Sequence, residues 1–159
     1  MSPASAPRAF EIDVEVGAAD WLAALPEAEA LARRAAGAAA GIQTGGGMAV
    51  LLTDNQAVRD LNARFRDLDR PTNVLSFPAA ANPEQHLGDI ALAFGVCADE
   101  AKAQGKSLAD HLCHLVVHGV LHLLGYDHQS DAEAERMESL ERLILLRLGT
   151  ADPYAEDGR

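Results

Sequence analysis

Three histidines and one glycine carry the clearest chemistry in this chain: His118, His122, His128 and Gly125. His118 and His122 stand four apart inside an apolar run that reads as a helix. At about 100° per residue, four positions bring the second ring to within roughly 40° of the first, on the same face and one turn away. Two imidazoles do not complete a zinc site. Gly125 supplies a residue free to take a left-handed conformation and end the helix, so the chain doubles back and His128 approaches as third ligand. Three protein ligands with one open position are the layout of a catalytic zinc rather than a structural one. The competing reading, histidines scattered through a core helix, explains neither the spacing nor the glycine.

Such a site needs elements to hold it. Residues 10–16 alternate apolar and acidic with period two, which predicts a half-exposed strand at a sheet edge. A small-residue helix is predicted from Pro26 to about Ala40, and a buried strand over Met48–Leu52 after three glycines. Those glycines lack the phosphate-loop pattern and read as a turn. Thr53 or Asp54 caps a helix from Asn55 to Phe65; strands follow over Val74–Phe77 and Leu87–Phe94. Val96–Gln104 is a short helix, Ser107 caps the histidine helix from about Leu108 to Leu124, and Asp131 caps an amphipathic helix ended by Gly149. The expected fold class is α+β: one small mixed sheet of about four strands covered by about five helices, with the metal site at the end of a central helix. A chain of 159 residues predicts a single domain, with 1–9 and 150–159 as flexible tails.

Composition narrows the class further. No apolar run approaches the ~20 residues that span a bilayer, and the amino terminus lacks the apolar core of a secretory signal. Two cysteines, Cys97 and Cys113, form no CxxC pair and read as reduced thiols of a cytoplasmic protein. The net charge of −11 runs against nucleic-acid binding, but much of the acid lies between Asp131 and Asp157. Arg59, Arg64, Arg66 and Arg70 cluster in the middle, with Lys102 and Lys106 after them, so a local basic strip is compatible with the total.

HxxxHxxGxxH is also the ligand spacing of the metzincin proteases, in which a Glu directly after the first His is the general base. Here that position is Gly119, which cannot take a proton. The run from His118 to His128, with Leu121, Leu123, Tyr126 and Asp127 between, resembles instead the signature of the YbeY-type endoribonucleases. So do Leu61-Asn62, Phe65-Arg66, the block Pro71-Thr72-Asn73-Val74-Leu75-Ser76-Phe77-Pro78, and Leu87-Gly88-Asp89-Ile90. The resemblance covers roughly residues 48–148. It implies a metal-dependent, single-strand-specific ribonuclease of small-subunit rRNA processing and ribosome quality control. It also implies one zinc ion held by His118, His122 and His128. The implied partners are single-stranded rRNA, the small ribosomal subunit and a ribosome-assembly GTPase.

Arg66 matches the family's functional arginine, and a guanidinium can hold a phosphate bidentately and stabilise charge building on its oxygens. His114, one turn before His118, matches a position often His in the family; it reads as a contact to substrate or to a ligand, since a fourth ligand would close the site. These two are the catalytic candidates. Asp89 is a candidate to orient an imidazole or to end a strand, and Asp127 to orient a ligand or water or to serve a turn. Ser76 and Thr72 are candidate phosphate donors, with capping or strand pairing the alternative. His111 shares the stripe and reads equally well as a surface residue; His86 is assigned to a loop without a role. A metal-dependent hydrolase of another substrate, and a non-catalytic assembly factor braced by zinc, remain as alternatives.

Overall fold

The structure is a computed structural model that describes residues 9–66 and 72–154, with the backbone alone of Arg66. Strands β1 (Glu11–Val16), β2 (Gly47–Thr53), β3 (Val74–Pro78) and β4 (His86–Ala93) form one sheet in the order β1-β2-β4-β3. The first three strands in that order run parallel, and β3 lies antiparallel to β4 at the far edge. β1 is the other edge, and its acidic residues Glu11, Asp13 and Glu15 are the exposed half of the alternation. β2, in the middle, is buried along most of its length, as a strand covered on both faces must be.

Six helices are present among the described residues: α1 (Asp20–Ala24), α2 (Ala28–Ala40), α3 (Asn55–Arg66), α4 (Phe94–Ala103), α5 (Leu108–Leu123) and α6 (Asp131–Arg147). The one beyond the expected five is α1, too short to show a period. It forms because Trp21 is wholly buried, donates its indole N–H to the Thr53 carbonyl at 2.9 Å and meets Phe94 edge-on at 5.2 Å. A second correction concerns α6. Ser130, not Asp131, is the cap: Ser130 Oγ accepts from the Glu133 N–H while the Glu133 carboxylate accepts from the Ser130 N–H. The sequence carries the sign of it, since Ser130 has Glu133 three residues on, as a capping box requires, whereas Asp131 has Ala134.

The buried alanines of α2 (Ala28, Ala32, Ala35, Ala36 and Ala39) let it lie close beside α5, and both helices cover one face of the sheet. Val50, Leu52, Ile90 and Leu92 meet that layer in the main core. Alternate residues Leu75, Ala91 and Ala93 point the other way, where Val58 of α3 covers them. Cys97 and Cys113 are buried and unpaired. Burial, reinforced by the Glu100 charge, pushes the Cys97 thiol up to about 12.

Two glycines separate close approach from mere flexibility. Gly88 sits at φ +142, and a Cβ there would strike the Phe77 carbonyl oxygen and stand 2.9 Å from Leu123 Cδ2. Gly37, in ordinary helical conformation, would meet only Ile12 Cδ1 at 3.6 Å. Gly88→Ala is therefore expected to cost more than about 1 kcal/mol and lower Tm by at least about 2–4 °C. Gly37→Ala should raise stability by about 0.5–1 kcal/mol. Thermal melting of the two variants checks both signs; equal melting would contradict the β3–β4 packing at Gly88.

Candidate metal centre

α5 is positioned at both ends by local hydrogen bonds. Ser107 Oγ accepts from the Asp110 N–H at 3.1 Å and starts the helix. At the other end Gly125, at φ +100, lets its N–H reach the His122 carbonyl while the Tyr126 N–H reaches Leu121 O, both at 3.0 Å. This is the Schellman pattern, which reverses the chain after the helix. Residues 126–128 turn back over the last turn of α5, and the His128 ring comes to stand 5.1 Å from that of His122 and 5.7 Å from that of His118.

One nitrogen from each of these rings lies within 4.8 Å of the others. The hydrogen bonds on the far side of two rings place a proton on each Nδ1. His122 Nδ1 is 3.0 Å from the Tyr126 carbonyl oxygen, which can only accept, so Nδ1 holds the proton and Nε2 is bare. His118 Nδ1 is 2.7 Å from Glu141 Oε2 and donates to it, so a neutral ring turns its bare Nε2 to the same side. The two Nε2 atoms face each other at 3.1 Å, a separation that a shared proton or a shared metal ion would each satisfy. Two nitrogens bound tetrahedrally at ~2.0–2.1 Å to one zinc would stand roughly 3.3 Å apart. The donor set fits a metal ion.

Glu141 of α6 is completely buried, and three donors surround it. Beside His118, its Oε1 lies 2.8 Å from His114 Nε2 and 2.5 Å from the Tyr154 hydroxyl. Burial alone would raise the pKa of this carboxyl; the hydrogen bonds from His114, His118 and Tyr154 outweigh it and hold the group down at about 2. Burial, and then the same contact, push the Tyr154 hydroxyl up, so it stays a donor. Burial, then the neighbouring His118 and His128, lower the pKa of His122 and keep its ring neutral, the form that binds metal. A cleft of about 580 Å³ opens beside the three rings, walled by Asn73, Val74 and Ser76 on one side and by Asp127 and His128 on the other.

A family profile described as endoribonuclease YbeY matches residues 18–149. A protein called endoribonuclease YbeY from Chelativorans sp. (strain BNC1) is 50% identical over 160 residues, covering 96% of this chain and 97% of its own length. One of the same name from Azorhizobium caulinodans is 51% identical over 155 residues, covering 92% and 97%. The chain belongs to the endoribonuclease YbeY family. The solution structure of TM1509 from Thermotoga maritima shares the fold with a TM-score of 0.50 at 24% identity, covering 92% of this chain and all of that one.

The motifs that carry the YbeY resemblance are only partly gathered at the triad. Ser76 donates to the Gly119 carbonyl at 3.1 Å and ties the edge strand β3 to α5 beside the cleft. Asp127 lines the cleft and accepts from the His128 N–H at 2.8 Å, so it shapes the turn that presents the third ring. Thr72 is half-buried, one residue before the wall begins at Asn73. Asp89 is not brought to the triad: paired in register with Phe77, it faces the side of the sheet away from α5 and bonds His86 of β4 at 3.0 Å. His114 is occupied by Glu141 rather than by the cleft. His111 is not a surface residue; it is buried and bonded to Glu100 at 2.9 Å. The backbone of Arg66 closes α3, while its side chain and Arg70 lie outside the described residues.

Sequence reasoning missed Glu141 and Tyr154. The signal for Glu141 was legible, a lone acid within the apolar stripe Met137, Leu140, Ile144 and Leu148 of α6. Tyr154 left none, since nothing local marks a tail tyrosine as docked. Because the folded pKa of Glu141 is depressed, its stabilisation is complete above the ordinary value of 4.5 and lost as pH falls toward about 2. In metal-free protein, wild type should exceed Glu141→Gln in urea midpoint above pH 4.5, and the gap should close toward pH 2. A gap that does not vary with pH would contradict the carboxylate's ionised state.

Proposed function

We propose that this protein is a zinc-dependent, single-strand-specific endoribonuclease, a single domain acting in the cytoplasm in small-subunit rRNA processing and ribosome quality control. The observation that carries the reading is the convergence of one nitrogen each from His118, His122 and His128 at the wall of an open cleft. Membership of a family whose relatives are named endoribonucleases supplies the substrate class. By the same resemblance, its partners are rRNA, the small ribosomal subunit and a ribosome-assembly GTPase.

His118, His122 and His128 would hold the zinc. When bound, the ion supplies a Lewis acid that draws charge from a phosphate oxygen or makes water more acidic. The chain's own residues do the rest. Ser76 and Asp127 fix the two walls of the cleft in which a phosphodiester would lie. Arg66, which precedes the segment leading to the Asn73 wall, binds the phosphate and neutralises the charge that builds on it. A protease base at position 119 is not available: Gly119 is pressed against the sheet, and a Cβ there would meet Ile90 at 3.1 Å and Ser76 Oγ at 3.3 Å.

Metal content and cleavage of a single-stranded RNA, measured together, test this. Wild type is expected to bind about one zinc per chain and to cleave, while His122→Ala loses both. Arg66→Ala should keep the zinc and lose about 10²–10³ in rate. Zinc without cleavage in the wild type would overturn the catalytic reading, and wild-type rates in Arg66→Ala would remove the role given to that residue.

A further inference from the structure

The Glu141 carboxylate has more partners than a single buried acid needs, and one of them comes from outside the segment that defines the family. The family match ends at residue 149, and Tyr154 lies beyond it. The α6 helix closes with the same turn as α5, Gly149 at φ +76 and the Thr150 N–H on Leu145 O at 2.9 Å. The chain then folds back along α6. Asp152 pairs with Arg142 at 3.4 Å and accepts the Tyr154 N–H at 2.8 Å, while the Arg142 guanidinium lies 5.1 Å from the centre of the Tyr154 ring. The ring also meets His114 edge-on at 5.6 Å. These contacts aim the hydroxyl at Glu141 Oε1.

The division of labour on that carboxylate follows from its two oxygens. Oε1 receives Tyr154 and His114, and among the described residues Oε2 receives His118 Nδ1–H alone. Two donors on Oε1 stop the group from rotating, so Oε2 stays against His118. That contact holds a proton on Nδ1 and so selects the nitrogen facing the cleft as the one a metal ion can bind. His114 spends its Nε2–H on the same carboxylate, which keeps that nitrogen from serving as a fourth ligand.

We propose that Tyr154 and Glu141 are positioning residues for the metal ligand His118, so that docking of the carboxyl-terminal segment sets the affinity of the metal centre. This rests on the reading of His118, His122 and His128 as the ligand set. Partners of this kind, bonded to the far nitrogen of a ligating imidazole, are worth about 10–100-fold in metal affinity.

The test uses the full chain as wild type, Tyr154→Phe, Glu141→Gln and His122→Ala. Zinc affinity is read by competition with a chromogenic chelator, and the histidine ring nitrogens are read by ¹⁵N NMR in zinc-free protein. Tyr154→Phe should bind zinc about tenfold more weakly and Glu141→Gln about 10–100-fold more weakly. In both, the His118 signals should move from a protonated Nδ1 toward a mixture of tautomers. Wild-type affinity in Tyr154→Phe would overturn the proposal, as would weaker binding with unchanged His118 signals, the mark of a merely structural role. Equal binding by wild type and His122→Ala would instead remove the ligand set itself, a separate failure.

Discussion

An imidazole offers two nitrogens, and a protein that needs a metal ligand must decide which of them faces the ion. Here the decision is made at the back of the rings. The Tyr126 carbonyl takes the proton-bearing nitrogen of His122, and Glu141 takes that of His118. Each partner can only accept while Glu141 is ionised, so in neutral rings the front nitrogens are the ones left bare. Everything else in the site presupposes this arrangement. Without it, three histidines at the right spacing would be free to turn.

Holding those partners in place constrains three distant parts of the chain. The carbonyl of Tyr126 comes to His122 because the Schellman turn at Gly125 bends the chain back over the helix that it ends. Glu141 comes from α6, which packs on α5 and buries Met137, Ile144 and Leu145 in the core. The wall of the cleft comes from β3, the one antiparallel strand, fastened to α5 where Gly119 removes the side chain that would hold helix and sheet apart. The alanine face of α2 serves the same end from the opposite side, giving α5 a close and rigid bed. α5 is thus a core helix along most of its surface, with its histidine stripe turned to one side. Mobility in it would cost the ring geometry first.

Much of this was legible in the sequence where the determinants are local. Four-residue spacing, a helix-ending glycine and a serine before the helix each act within a turn of themselves, so the triad, the turn and the Ser107 cap could be read directly. The alternation of residues 10–16 identified an edge strand for the same reason. What failed to show is non-local. Strand order, the face on which Asp89 emerges and the burial of His111 depend on which elements meet. Glu141 was visible only as an anomaly, an acid where its helix period called for an apolar residue, and its meaning required α5 beside it. Tyr154 and the short helix around Trp21 are set by tertiary contacts that have no sequence period at all.

The ring geometry supports a three-imidazole metal site with one position left open, its fourth histidine withheld by a carboxylate. X-ray absorption at the zinc edge of zinc-loaded protein tests it most directly. Three imidazole nitrogens at about 2.0–2.1 Å and a fourth, oxygen donor are expected. A fourth imidazole in the first coordination sphere would mean that His114 leaves Glu141 to bind the ion, and fewer than three would mean that the rings of His118, His122 and His128 do not converge on one metal. Either spectrum would contradict the site as built here.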